Sequence, residues 1–113
     1  MRLALNRDEI PPGTLYLLIL KTLALRGELH GYEIASSIQQ SSDDVLQVEE
    51  GSLYPALQRM LIKGWVTAEW GVTAGNRRAR YYKLTAAGRK QLAVELSQFE
   101  RVIGAITRVI QTA

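Results

Sequence analysis

Arg77, Arg78, Arg80, Lys83, Arg89 and Lys90 fall within residues 77–90 with no acidic side chain among them. Such a run addresses a polyanion, because clustered fixed cations attract phosphate and release its condensed counterions. The rest of the chain offers little other chemistry. His30 is the single histidine and cysteine is absent, so neither a thiolate-ligated metal site nor a histidine-rich zinc centre can be assembled. No serine or acid stands at a spacing that would make His30 the base of a nucleophilic site. Its expected role is a hydrogen bond at a helix start, with Tyr32 and Glu33 buttressing the same turn. A phosphate contact by Tyr32 is the other reading of that side chain. Gly71, Gly75 and Gly88 stand singly and do not make a phosphate-binding loop. The residues thus predict no catalytic site, no metal and no cofactor.

The charge is divided along the chain. Residues 1–50 carry four basic and eight acidic side chains and residues 51–113 carry ten and three, giving the formal net charge of +3 over 113 residues. With 47% hydrophobic and 22% charged residues, the composition is that of a soluble fold. The longest apolar run, Leu15 to Leu20, is too short to span a bilayer. A cytoplasmic protein without membrane contact is expected.

The elements that must position the basic run follow from periodicity. After Pro11-Pro12-Gly13, residues 14–26 read TLYLLILKTLALR, a helix apolar on nearly every side that must be covered on more than one face; Gly27 ends it. A second helix follows His30-Gly31, with Ile34, Ala35 and Ile38 at helical spacing, and breaks at Ser41-Ser42-Asp43-Asp44. A third runs from Gly51 to Lys63. Leu53, Leu57, Met60 and Leu61 form its core face, Ser52 is the expected N-cap, Pro55 takes the third helical position, and Gly64 terminates it.

From Trp65 the period approaches two, and WVTAEWGV, the turn TAGN and RRARYYKLT predict a hairpin with a basic tip. Alternation puts Arg78 and Arg80 on one face and Tyr81 and Tyr82 on opposite faces. Trp65 and Trp70 flank the first strand and are expected to join the hairpin to the helices, with ligand stacking as the other reading. Residues 86–110 read as one long helix. Leu92, Leu96, Phe99, Ile103, Ile106 and Ile110 recur at alternating spacings of four and three, the seam of a helix pair. With Val102 and Val109 beside them, and Leu15 and Leu18 from the first helix, they are the expected contacts of a homodimer. Burial of the stripe against the short helices of the same chain is the competing account.

Three short helices followed by a basic two-stranded hairpin make an α+β, mostly helical winged helix-turn-helix. The expected organisation is an N-terminal arm (1–12), the winged domain (13–85) and a dimerisation helix (86–111). In this arrangement the third helix enters the major groove of double-stranded DNA and the hairpin follows the backbone or the adjacent minor groove. The expected DNA contacts are Ser52, Tyr54, Gln58, Arg59 and Lys63 on the third helix and Asn76, Arg77, Arg78 and Arg80 on the wing. The amides around Ser52 and Leu53 would form a phosphate cradle. Tyr54 has two compatible roles, packing through its ring and phosphate contact through its hydroxyl. Glu49 and Glu50 repel phosphate. They either brace the helix or restrict the approach of DNA.

LHGYEIA at 29–35, VEEGSLYPALQRM at 48–60 and NRRARYYKLTAAGRKQL at 76–92 together resemble the PadR family of bacterial transcriptional regulators. The resemblance runs from Gly13 to about Gln111. It is strongest to the short form with a single C-terminal dimerisation helix, and in particular to a subgroup found in soil acidobacteria. It implies a homodimeric repressor of promoters that carry inverted repeats, with Tyr32, Ser52, Tyr54, Gln58 and Asn76 to Arg78 approaching DNA. It also implies a small aromatic or cationic amphipathic effector in many members. The final helix here has no tryptophan and only Phe99 as an aromatic, which departs from members that sandwich drugs between tryptophans. A winged module that binds a protein partner in place of DNA is the alternative, and the basic hairpin counts against it.

Overall fold

The computed structural model describes residues 13–112; the expected N-terminal arm, including Pro11-Pro12, lies outside them. The chain forms α1 (Leu15–Arg26), β1 (Leu29–His30), α2 (Gly31–Ser41), α3 (Glu50–Ile62), β2 (Val66–Val72), β3 (Arg78–Leu84) and α4 (Ala86–Gln111). This is the winged helix-turn-helix order with a long helix appended. Gly27 and Gly64 end their helices at φ +83 and +77, a left-handed conformation that a side chain would resist. Between α2 and α3, Asp43 and Asp44 both turn left-handed, and Ser42 Oγ accepts the Leu46 amide at 3.0 Å.

One core holds the four helices and the sheet together. Ile19, Leu20 and Leu23 of α1 meet Ile34 and Ile38 of α2, Leu53, Leu57 and Met60 of α3, and Val66, Tyr82 and Leu84 of the sheet. The apolar character of α1 is explained by its neighbours, since it packs against α2, α3, α4 and β3. Leu15 and Leu18 are partly buried against the same core.

The sheet has three strands rather than the two expected, in the order β1-β3-β2. The added strand is two residues long and pairs Leu29 with Tyr82 and His30 with Tyr81. Between β2 and β3 the register pairs Val66 with Leu84, Trp70 with Arg80 and Val72 with Arg78.

A bonded joint fixes α4 to the base of the hairpin. The Thr85 amide donates to the Trp65 carbonyl at 3.1 Å, Thr85 Oγ1 donates to the Gly64 carbonyl at 2.6 Å, and the Gly88 amide donates to Thr85 Oγ1 at 3.0 Å. Gly88 is the one buried residue of α4. Leu92 rests half-buried on the core, so it seats the helix within its own chain rather than opening the seam. From Leu96 onward the row Leu96, Phe99, Val102, Ile103, Ile106, Val109 and Ile110 is exposed. Among the described residues nothing covers this stripe, so it is not buried against the short helices of its own chain. None of the described helices is long and apolar enough to cross a membrane.

Candidate nucleic-acid interface

α3 starts at Glu50, three residues before the start that a Ser52 N-cap would set, and this shifts three assignments. Glu49 is the N-cap residue, and Ser52 is the third helical residue, exposed. Pro55 stands at the sixth helical position, so the Gly51 carbonyl loses its usual amide partner. The amides of Ser52 and Leu53 both donate to the Glu49 carbonyl, at 3.0 and 2.9 Å. They are therefore not a cradle for phosphate. The Leu53 side chain is 1% exposed, because its helical angle coincides with that of Leu57 and Met60, so Leu53 is a core residue and not a DNA contact.

The remaining α3 positions divide at about 100° per residue into two flanks. Tyr54 and Gln58 lie on the flank beside the wing and line a cleft of about 980 Å³ bounded by the start of α2, α3 and the hairpin. Ser52, Arg59 and Lys63 are exposed on the other flank. There Arg59 Nε donates to Tyr16 Oη at 2.6 Å, Tyr16 meets Trp65 edge-on at 5.5 Å between ring centroids, and Lys63 Nζ stands 5.3 Å from the Trp65 ring centre. These two cations are held by aromatic side chains of their own chain, which the helical pattern alone did not indicate.

Tyr54 packs through its ring, the first of its two expected roles. Its ring covers the first residue of α2, where a Cβ on Gly31 would stand 2.6 Å from the tyrosine oxygen and 2.8 Å from Cε1. Only glycine permits that approach. The ring remains partly exposed. Tyr32 is 75% exposed, and with Tyr54 it separates the cleft from a smaller hollow of about 300 Å³ that Glu49 and Glu50 line. His30 sits at the α2 start as expected, its amide donating to Glu33 Oε1 at 3.1 Å, while its ring meets Tyr81 edge-on at 5.3 Å.

The wing supplies the charge. Thr73 and Arg77 close its turn, the Thr73 amide donating to the Arg77 carbonyl at 2.8 Å, and Asn76 takes the left-handed conformation the turn requires, at φ +64. Asn76, Arg77 and Arg78 are exposed. Arg80 is half-buried, its guanidinium 5.8 Å from the Trp70 ring centre and 5.9 Å from that of Tyr82, and its Nε is buried without a hydrogen-bond partner. Tyr82 is buried and Tyr81 is partly exposed, as alternation requires. Burial pushes the Tyr82 phenol up from 10.0, against the opposing effect of Arg80. Among the cleft-lining residues three are arginines and only Glu33 is acidic, so the cleft is an anion-attracting groove. Among the described residues no group of three or more His, Cys, Asp or Glu could hold a metal.

The two tryptophans part company. Trp65 joins hairpin to helix through Tyr16, but Trp70 is 62% exposed and belongs to the wing face alone. No pattern in the sequence separated them.

Residues 19–94 match the model of the transcriptional regulator PadR-like family. The chain belongs to this family. The family is one of transcriptional regulators that bind DNA. Among solved structures, a transcriptional regulator from Clostridium thermocellum is similar at 26% identity, covering 88% of this chain and 95% of that one, with a TM-score of 0.78. Bacillus subtilis PadR, solved with operator DNA, is 27% identical over 73% of this chain and 46% of its own, with a TM-score of 0.63. A protein of Lysinibacillus sphaericus is 29% identical over 96 residues, which are 85% of this chain and 87% of that protein.

Proposed function

We propose that this PadR-like protein is a homodimeric repressor of the short type, related to the acidobacterial subgroup, that binds an inverted-repeat operator in double-stranded DNA and occludes polymerase. The observation that carries the reading is the gathering of Tyr32, Tyr54 and Gln58 beside Arg77, Arg78 and Arg80 around one cleft. A hydroxyl, an amide and cations are the groups that read base edges and grip phosphates. The exposed α4 stripe supports the dimer, since an apolar row of this length needs a second helix. Two recognition helices related by a two-fold axis would then read half-sites about one DNA turn, roughly 34 Å, apart. The cytoplasm is the place of action in this reading. Release by a small amphipathic effector belongs to it too, with no tryptophan pair in α4 to make a stacked-aromatic site.

The test is fluorescence anisotropy on a duplex from the region upstream of the protein's own gene, against a scrambled duplex, at two salt concentrations. Preferential binding that weakens steeply with salt is expected. Equal weak binding to both duplexes would overturn autoregulation, and no binding to either would favour a protein partner for the winged module.

A further inference from the structure

Trp70 is a large aromatic side chain left 62% exposed near the end of a two-stranded ribbon, where it supports neither core nor helix. What it touches is charge. The Arg78 guanidinium carbon lies 4.7 Å from its ring centre and that of Arg80 5.8 Å. The register explains the pairing, because Trp70 is directly opposite Arg80, and Val72, two residues on, is opposite Arg78. Both arginines therefore share its face of the ribbon.

We propose that Trp70 is a positioning residue for DNA binding, an indole platform that holds Arg78 and Arg80 pointed along the cleft before DNA arrives. The inference rests on the reading of the wing as a DNA contact. A free arginine loses rotamer entropy when it grips phosphate. One already stacked on an indole has lost much of it, and the ring attracts the cation through its quadrupole. Arg80 carries the arrangement furthest. Its Nε is buried without a partner between Trp70 and Tyr82, so its remaining guanidinium nitrogens are the ones left to bond an incoming anion. Trp70 itself adds no charge, so a wing that acted only through its net field would not register its loss.

Four variants test this on the full chain by anisotropy over a salt series, with thermal unfolding alongside. Arg78→Ala with Arg80→Ala tests the underlying reading: affinity should fall and the salt slope become shallower, and wild-type binding here would refute the wing as a DNA contact. Trp70→Ala should weaken binding about tenfold and move the salt slope toward that of the arginine variant, with an unchanged unfolding midpoint. Trp70→Phe should restore most of the affinity, since a phenyl face still attracts cations. Trp70→Ala placed in the double-arginine background should cost nothing further. Wild-type affinity and slope for Trp70→Ala, a further loss in the arginine-free background, or a lowered unfolding midpoint that accounts for the weakened binding would each overturn the proposal while leaving the DNA reading intact.

Discussion

Gly88→Ala should destabilise this protein, against the ordinary expectation for a helix. An alanine in place of a helical glycine stabilises by up to about 1 kcal/mol, and the backbone at Gly88 is helical with no positive φ. The structure reverses the sign. A Cβ there would stand 2.1 Å from the Trp65 carbonyl oxygen, 3.1 Å from its carbon and 3.0 Å from Leu84 Cδ2. Carbon and oxygen in contact keep about 3.3 Å, so α4 or the start of β2 must move by roughly 1.2 Å. The obstructing atoms are backbone, and the same oxygen accepts the Thr85 amide, so retreat strains the joint. Overpacking costs about 1–3 kcal/mol and a weakened hydrogen bond about 1 kcal/mol. Less the helical gain, the net loss is about 2 kcal/mol, or roughly 10 °C in Tm for a chain of this size. Circular dichroism melting at fixed protein concentration reads it. Gly51→Ala is the control, since nothing lies within 4 Å of a Cβ at that position, and its Tm should hold or rise slightly. An unchanged or raised Tm for Gly88→Ala would refute the close docking of α4 on Trp65.

Other expectations follow from the interface and the core. Gln58→Ala should change discrimination between cognate and random duplexes by about tenfold while Arg77→Ala weakens both alike; competition anisotropy separates these, and equal effects of Gln58→Ala on both duplexes would sink the division. Phe99→Asp places two carboxylates in the proposed dimer seam and should raise the dimer dissociation constant at least about a hundredfold; a fully retained dimer in light scattering would show the seam to lie elsewhere. Tyr82 has its phenol pKa raised by burial, so the folded form holds the proton longer than the unfolded chain does. Its contribution is complete below about pH 10 and is lost as pH rises through the folded value. Tyr82→Phe should therefore flatten the alkaline fall of Tm, and an identical fall in both proteins would discount the group.

The helices, the hairpin and the face of α3 could be read from periodicity because each spans enough residues to show a period. β1 could not, since two residues have none, and it exists only because Tyr81 and Tyr82 offer it a partner. Leu53 illustrates a second limit. Moving the N-cap from Ser52 to Glu49 turns an anticipated amide cradle into an ordinary first turn, and helix ends are set by local hydrogen bonds that composition does not fix. Arg59 and Trp70 illustrate a third. Arg59 is exposed on its predicted face and Trp70, expected to join the hairpin to the helices, is exposed on the wing, but whether a surface arginine is free or stacked depends on rings 43 residues away for Arg59 and Tyr16, or across the hairpin for Trp70. The apolar stripe of α4 was legible because it repeats over several turns, and among the described residues nothing covers it beyond Leu92.

The brevity of β1 has a mechanical result. Only at Tyr81 and Tyr82 is β3 hydrogen-bonded on both edges; beyond them, from Arg80 to the turn, the wing is a two-stranded ribbon projecting from a clamped root. A ribbon of this kind is marginally stable by itself and yields on small loads. The wing is thus a cantilever whose compliance rises toward Arg77, stiff where Tyr82 meets the core and soft where its arginines would meet a phosphate backbone. In the proposed function a tip so mounted would follow grooves of differing width without disturbing α3, and tolerance of DNA shape and stringency of base reading would reside in separate parts of the same small domain.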